Sequence, residues 1–188
     1  MTETAWIYLK PPYPTDLFEI MYIDGRVWQS FVASGGYAGV CNPGSLWWWN
    51  SSVTLCTPNT VKFYTWNFVV FSVNGTSMRA CINMQCTSKS ISIGGPIQAV
   101  SSWNIGGPYH QYFNGSMADI QIYNTSLTTS EIQALYQEGI GGAPIDLQHL
   151  VAWWPLNGNA NDYSGNGNNG VPTNVKFVSN WWQGYTPP

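Results

Sequence analysis

The sequence predicts an all-β fold that contains a single short helix. Short runs rich in β-branched and aromatic residues recur along the chain and are separated by clusters of Gly, Pro and Asn, which is typical of strands joined by turns. The run 61–73 leads directly into Asn74-Gly75, a dipeptide that favours the positive φ angles of a type I′ hairpin turn. The predicted strands are 4–10, 18–23, 26–33, 61–73, 78–84, 118–123, 150–156 and 171–178.

One segment departs from the β pattern, and we expect a short helix at 128–138. Thr128 and Glu131 have the spacing of a capping box, in which the two side chains each accept a hydrogen bond from a backbone N–H at the start of the helix. Gly139 supplies the glycine that commonly ends a helix. The apolar positions at helical spacing are Ile132, Leu135 and Tyr136.

The composition excludes several classes of protein. Only 8% of the 188 residues are charged, yet no apolar run approaches the roughly 20 residues that span a bilayer, so we expect no membrane span. The formal net charge is -3 and the basic residues are scattered singly, which argues against a nucleic-acid partner. Polarity comes instead from Ser, Thr, Asn, Gln and Gly, a profile suited to an exported protein.

The cysteines and the sequons indicate an oxidising, extracellular location. None of the four cysteines belongs to a C-x-x-C pair, and four cysteines allow three connectivities. We favour the disulfides Cys41–Cys56 and Cys81–Cys86 because each closes a short local loop, with four buried free thiols as the alternative. Four N-x-S/T sequons strengthen the prediction of an extracellular or cell-surface glycoprotein. The sequons lie at Asn50, Asn74, Asn114 and Asn124.

Three stretches carry recognisable motifs. The stretch 65–84 (TWNFVVFSVNGTSMRACINM) is a hairpin with an Asn-Gly turn, and 112–139 (YFNGSMADIQIYNTSLTTSEIQALYQEG) joins an F-x-G turn, an aspartate-bearing strand and the short helix. The stretch 150–177 joins the apolar run LVAWWPL to the loop NGNANDYSGNGNNG. All three resemble the laminin-G-like (LamG) family of concanavalin A-like lectin domains. The resemblance implies a two-sheet antiparallel jelly-roll sandwich.

The order of these motifs is permuted. In the family, the motif that resembles 150–177 opens the domain, whereas here it follows everything else. The strand at 4–10 resembles the family's third element. The resemblance therefore implies a sandwich at 1–140 that lacks its opening strands, a Gly-rich linker at 141–149 and a C-terminal segment at 150–188 that resembles those strands.

The C-terminal segment can complete a sandwich in either of two ways. If it is donated to a neighbouring copy, the contact is heterologous and generates a ring or a filament. We favour donation because the segment is long, aromatic and joined by a Gly-rich hinge, and this predicts a secreted structural or adhesive protein that self-assembles head-to-tail, as a filament or surface-layer subunit. If the segment folds back, the protein is a monomeric lectin-like module that binds carbohydrate or protein. A third reading is that the segment starts the next domain of a tandem array.

A calcium ion is the small ligand that the sequence favours. The loop NDYSGNGNNG is dense in oxygen donors, and calcium takes six to eight oxygen ligands. In the resembling family the loop aspartate often lies near the aspartate of the F-x-G strand, which is Asp119 here. The alternative is that the loop aspartate caps a turn. The candidate ligands are Asp162, Asp119, Asn161 and Asn168.

Tryptophans are the candidate ligand- or partner-binding residues. Trp47, Trp48 and Trp49 cannot all point inward from one strand, so at least one is exposed or covered by a partner. We rank contact with a partner protein above glycan binding for this cluster. The aromatic residues Trp153 and Trp154 of the C-terminal segment are assigned to the same role.

Catalysis is not expected. Concanavalin-like glycosidases carry paired acids on one strand, and no E-x-D-x-E pattern occurs in this sequence. The sequence also lacks a serine nucleophile elbow. We therefore expect a protein that is not an enzyme.

Overall fold

The computed structural model describes residues 1–11, 18–23, 29–32, 41–50, 53–92, 102–107 and 112–178. Within these residues the chain forms eleven strands and one helix. The elements are β1 (Thr2–Leu9), β2 (Phe18–Ile23), β3 (Gln29–Val32), β4 (Ser45–Asn50), β5 (Val53–Thr60), β6 (Trp66–Val73), β7 (Ser77–Ile82), β8 (Gln85–Ser90), β9 (Trp103–Ile105), β10 (Gly115–Tyr123), α1 (Thr129–Glu138) and β11 (Leu150–Trp154).

The strands form two antiparallel sheets, which confirms the predicted sandwich. One sheet has six strands in the order β11-β10-β1-β6-β7-β8, and the other has five in the order β5-β4-β3-β2-β9. Alternate residues of β1 point between the sheets, where Ala5, Ile7 and Leu9 belong to the main core. Trp48 of the second sheet meets Phe71 of the first edge-on, with ring centroids 5.6 Å apart.

The predicted helix is confirmed, and it covers the outer face of the six-stranded sheet. The Thr128 backbone N–H donates to Glu131 Oε2 at 2.7 Å, and the Glu131 N–H donates to Thr128 Oγ1 at 3.3 Å, which closes the capping box. Tyr136 stacks on Trp6 with ring centroids 5.8 Å apart. No helix in the described part of the chain is long and apolar enough to cross a bilayer.

Both predicted disulfides are present. Cys41–Cys56 ties the segment before β4 to β5, and Cys81–Cys86 links the neighbouring strands β7 and β8. The second bridge lies directly across the ladder, since the two cysteines are register partners.

The turn type of the hairpin between β6 and β7 differs from the prediction. Asn74-Gly75 does connect β6 to β7, but only Gly75 has a positive φ, of 92°, so the turn is not type I′. The type I′ pattern occurs instead between β7 and β8, where Asn83 and Met84 have φ angles of 47° and 66°. The prediction was wrong because the Asn74 side chain stabilises its own turn, with Oδ1 accepting a hydrogen bond from Ser77 N at 2.9 Å.

The C-terminal segment folds back on its own chain. Strand β11 pairs antiparallel with β10, with Trp154 opposite Ile120 and Ala152 opposite Ile122. This is the arrangement expected of a circular permutant, so the donated arrangement that we favoured from the sequence is not the one in this structure. The predicted strand at 171–178 is also absent, and Val171 there is 91% exposed.

A buried carboxyl group makes the stability of the sandwich depend on pH. Glu3 is 3% exposed, and burial raises its pKa from 4.5 to about 8, although a hydrogen bond with Ser30 lowers it. The folded chain therefore holds a proton that the unfolded chain releases, and the unfolding free energy falls as the pH rises from about 4.5 to about 8. We expect Glu3→Gln to reduce this slope in urea denaturation, most clearly between pH about 6 and about 8, which lies above the raised pKa of Asp119. An unchanged slope in the variant would contradict the role of Glu3.

Candidate functional site

The polar loop at 157–170 covers the free edge of β11. As the edge strand, β11 pairs only with β10, and its outer backbone groups belong to Val151 and Trp153. Trp153 O accepts from Tyr163 N at 2.8 Å, and Trp153 N donates to Asp162 Oδ1 at 2.9 Å. Val151 O accepts hydrogen bonds from three loop side chains, those of Ser164, Asn166 and Asn168. The loop therefore covers most of this edge with hydrogen bonds from the same chain.

Asp162 organises this loop. Its Oδ1 accepts from the backbone N–H groups of Trp153 and Ser164, at 2.9 and 2.8 Å. Its Oδ2 accepts from Ser164 Oγ and from the Asn168 N–H, both at 2.9 Å. Partial burial acts to raise the pKa of Asp162, but these hydrogen bonds outweigh it and hold the pKa below its ordinary value. The carboxylate is therefore a four-fold acceptor that fixes the loop against the strand.

Asp119 is the buried counterpart of Asp162. It is 4% exposed on β10, and its Oδ1 accepts from Trp153 Nε1 at 2.7 Å and from Gln121 Nε2 at 3.1 Å. The Tyr123 hydroxyl extends this chain by donating to Gln121 Oε1 at 2.6 Å. Burial raises the pKa of Asp119 to about 6, although its hydrogen bonds lower it. Trp153 thus links the two candidate carboxylates, since its backbone N–H donates to Asp162 and its indole N–H donates to Asp119.

These residues do not fit a calcium ion. The N–H and O–H groups that converge on Asp162 and Asp119 place hydrogens, not oxygens, around the carboxylates, whereas calcium needs oxygen ligands. The backbone carbonyl oxygen of Asn168 accepts from Trp154 Nε1 at 2.8 Å, the Asn168 side-chain amide donates to Val151 O at 2.9 Å, and Asn161 is exposed. Across the described ranges, no group of three or more His, Cys, Asp or Glu side chains could hold a metal. Calcium binding stays an untested prediction, and the geometry favours the turn-capping alternative.

The tryptophans of β11 hold the C-terminal segment in place. Trp154 is 6% exposed and meets Trp103 of the opposite sheet edge-on at 6.2 Å between centroids. Trp153 is half-buried and meets Tyr163 of the loop at 6.1 Å. With Trp154 in the core and both N–H groups of Trp153 bonded to aspartates, neither residue is arranged to bind a ligand. In this structure the two residues have a structural role, and their binding of a ligand or partner stays a prediction.

The tryptophan triplet of β4 divides between the two faces of the five-stranded sheet. Trp48 is fully buried in the core. Trp47 and Trp49 are half-buried, and they lie on the opposite, outer face because successive side chains of a strand alternate. This agrees with the expectation that the three could not all point inward. Trp47 lies opposite Cys56 of the Cys41–Cys56 disulfide, so the bridge adjoins this face.

Further residues of the outer face were not identified from the sequence. Tyr22 on β2, Thr54 on β5 and Asn104 on β9 are half-buried, and each lies beside a residue whose side chain points into the core. Period-two alternation in FEIMYI would have placed Tyr22 on the core face with Phe18 and Ile20, because the irregularity between Glu19 and Met21 is not visible in the sequence. The pairing that brings it to the sheet of Trp49 is long-range and leaves no local signal.

Three of the four sequon asparagines are exposed. They are Asn74, Asn114 and Asn124, whereas the side chain of Asn50 lies outside the described residues. Glycosylation at these positions stays a prediction.

We expect Asp162→Ala to destabilise the protein without any dependence on calcium. The change leaves four donors without their acceptor, at a cost on the order of 2 kcal/mol or more. The melting temperature should therefore fall by the same amount with added calcium and with EDTA. Asn161→Ala, an exposed neighbour, is the matched control and should melt like the native chain. If chelation lowers the melting temperature of the native chain, the result would instead support a calcium site.

The chain matches one protein family and several solved structures. The family model Laminin_G_3, described as the concanavalin A-like lectin/glucanases superfamily, matches residues 1–133. A putative carbohydrate binding protein from Bacteroides ovatus is similar, with a TM-score of 0.70, 16% identity, and coverage of 88% of this chain and 49% of that one. This chain therefore spans about half the length of that protein. No curated protein sequence matches.

Two further structures are similar over a smaller part of the chain. Domain 4 of the extracellular arabinanase AbnA from Geobacillus stearothermophilus, in complex with arabinotriose, has a TM-score of 0.53 and 18% identity, and the match covers 71% of this chain and 65% of that one. The CBM40 module of the Ruminococcus gnavus IT-sialidase, bound to α2,3-sialyllactose, has a TM-score of 0.52 and 15% identity, with coverage of 71% and 80%. At these identities the similarity shows a shared fold.

Proposed function

This chain belongs to the concanavalin A-like lectin/glucanase superfamily, and we propose that it is an extracellular carbohydrate-binding protein with no catalytic activity of its own. Structures with the same fold include a putative carbohydrate binding protein and two domains with bound oligosaccharides. The two disulfides support an extracellular location, because such bridges persist in oxidising compartments.

The observation that carries the proposal is the pair of tryptophans on the outer face of the five-stranded sheet. Trp47 and Trp49 are large, half-buried rings on one face of one strand. Aromatic rings present an apolar face on which the C–H face of a sugar ring can stack, while neighbouring polar groups bind its hydroxyls. Because two of the similar structures hold a bound oligosaccharide, we rank a glycan above a partner protein as the ligand of these rings.

Three of the described carboxyl groups are engaged in hydrogen bonds that hold the fold, which supports binding without catalysis. A glycosidase needs one carboxyl group as acid and a second as nucleophile or base, both facing the sugar. Asp119 is buried among hydrogen-bond donors, Asp162 accepts four hydrogen bonds, and Glu131 caps α1. These three groups are committed to holding the fold.

The filament hypothesis loses its motivation in this structure. It rested on a sandwich whose opening strand was missing and whose edge was open. That position is filled by β11 of the same chain, and the outer edge of β11 is covered by its own loop. A monomeric binding module, the alternative that the sequence left open, accounts for the same motifs.

Binding can be tested on a glycan array with matched tryptophan variants. We expect the native protein to bind at least one glycan class, and Trp49→Ala and Trp47→Ala each to weaken binding about tenfold through loss of ring stacking. Trp66→Ala is the control, because Trp66 is also half-buried but lies on the outer face of the other sheet, beside Tyr8. Melting curves should show that all variants are folded. An array without any binder, or equal losses in all three variants, would contradict the proposal.

A further inference from the structure

The sequence contains five Asn-Gly dipeptides, and the asparagine of each is exposed. An asparagine that precedes glycine can lose its side-chain amide in a reaction with the next backbone nitrogen, because glycine has no side chain to obstruct the close approach. Neither the local sequence nor exposure distinguishes the five sites, so any difference between them has to come from their hydrogen bonds. The five asparagines are Asn74, Asn114, Asn157, Asn166 and Asn169.

The side chain of Asn74 lies among three hydrogen-bond donors in the turn between β6 and β7. Its Oδ1 accepts from Thr76 N and Thr76 Oγ1, both at 3.1 Å, and from Ser77 N at 2.9 Å. Its Nδ2 donates to none of the residues that the structure describes. Preorganised donors around one carbonyl oxygen are the arrangement that stabilises the negative charge of a tetrahedral intermediate in acyl transfer.

The backbone nitrogen that would attack Asn74 is accessible. The Gly75 N–H makes no hydrogen bond within the described part of the chain. A Cβ placed on Gly75 would have no atom within 4 Å, so a base can reach the N–H from solvent. Gly75 has a φ of 92°, a conformation that glycine adopts readily.

The glycine nitrogen is engaged or crowded at three of the other four sites. The N–H groups of Gly158 and Gly170 each donate to a backbone carbonyl, at 3.1 and 2.8 Å. Gly115 begins β10, where a Cβ would collide with Tyr8 O. A nitrogen whose proton is held by an acceptor, or which is packed against a neighbouring strand, is poorly placed to attack.

Asn166 has the opposite hydrogen bonding to Asn74. The Gly167 N–H makes no hydrogen bond among the described residues, and the space around Gly167 is open as well. However, Asn166 Nδ2 donates to two backbone carbonyls of β11 and to Ser164 Oγ, at 2.9, 3.0 and 3.2 Å. Donors on the oxygen of Asn74 prepare its carbonyl carbon for attack, whereas acceptors on the nitrogen of Asn166 hold the group that must leave.

We propose that Asn74 is a site of spontaneous deamidation through a succinimide. Base removes the proton of the Gly75 N–H, the nitrogen bonds to Asn74 Cγ, and Oδ1 carries the negative charge among its three donors. The bond from Cγ to Nδ2 then breaks, and ammonia leaves with a proton equivalent to the one that Gly75 lost. Water opens the ring at either carbonyl and yields aspartate or isoaspartate, without an oxidant, a cofactor or an enzyme.

The modification changes the charge and the chemistry of this turn. It adds one negative charge to a chain whose formal net charge is -3. An aspartate can accept the same three hydrogen bonds, whereas an isoaspartate lengthens the backbone between β6 and β7 by one carbon. The reaction also removes the nitrogen that the sequon at Asn74 would offer to a glycan. The site lies in a turn of the six-stranded sheet, so the inference goes beyond the proposed carbohydrate binding and does not depend on it.

Peptide mapping by mass spectrometry, during incubation at mildly alkaline pH, tests this proposal on the folded protein and on protein unfolded in urea. In the folded protein we expect Asn74 to convert at least as fast as in the unfolded chain, and about tenfold or more faster than Asn166. Thr76→Val removes one donor and should slow the conversion of Asn74 about threefold to tenfold, the factor to which one hydrogen bond corresponds. Thr76→Ser keeps the hydroxyl and is the matched control, so Asn74 should convert in it as in the native protein.

Three results would overturn the proposal. One is slower conversion of Asn74 in the folded protein than in the unfolded chain, or conversion at the same rate as Asn166. Another is a Thr76→Val variant, shown by its melting curve to be folded, in which the rate at Asn74 is unchanged or increased. The third is a glycan on Asn74 in the purified protein, because the glycan would occupy the nitrogen that has to leave.

Discussion

The pairing of β11 with β10 is the constraint on which the rest of the six-stranded sheet depends. Trp153 fixes this pairing, because its backbone N–H donates to Asp162 and its indole N–H donates to Asp119. Without β11, the outer edge of β10 would lack its partner, and Asp119, which is 4% exposed, would lose a donor. A buried acceptor without its donor costs about 1–3 kcal/mol, so the strand and the buried acid stabilise each other.

The same pairing explains why the sequence predicts the fold but leaves the placement of the C-terminal segment open. The motif at 150–177 makes the same contacts whether it folds back or enters a neighbouring copy, so no local pattern distinguishes the two. In this structure the backbone groups of Val151 and Trp153 accept from or donate to side chains that lie 9 to 17 positions further along the chain. Donation of the segment to a neighbouring copy stays a prediction. The loop at 157–170, which is rich in Asn, Ser and Gly, covers the outer edge of β11, and covering an edge strand with a loop is a common way to protect it.

Features that depend on residues close together in the sequence were predictable. The direction of side-chain hydrogen bonds and the register of distant strands were not. The capping box of Thr128 and Glu131 and the Cys81–Cys86 bridge depend on residues a few positions apart, and both are confirmed. The calcium prediction stays untested, and the geometry favours turn capping because Asn and Ser side chains carry both donors and acceptors. Their composition indicates a polar cluster, but only the structure shows that it turns its hydrogens toward Asp162. The outer face likewise depends on strand registers between segments far apart in sequence.

The burial of Trp48 gives the proposed binding face its rigidity. Trp48 is 0% exposed and packs edge-on against Phe71 of the opposite sheet, so β4 is anchored in the core at the centre of its tryptophan triplet. The flanking Trp47 and Trp49 are therefore held on a paired strand rather than on a mobile loop, and the adjacent Cys41–Cys56 bridge restrains β5 beside them. A ligand that stacks on side chains already held in place forfeits less conformational entropy on binding. The consecutive tryptophans thus have complementary roles, since the inner ring fixes the strand that presents the outer two.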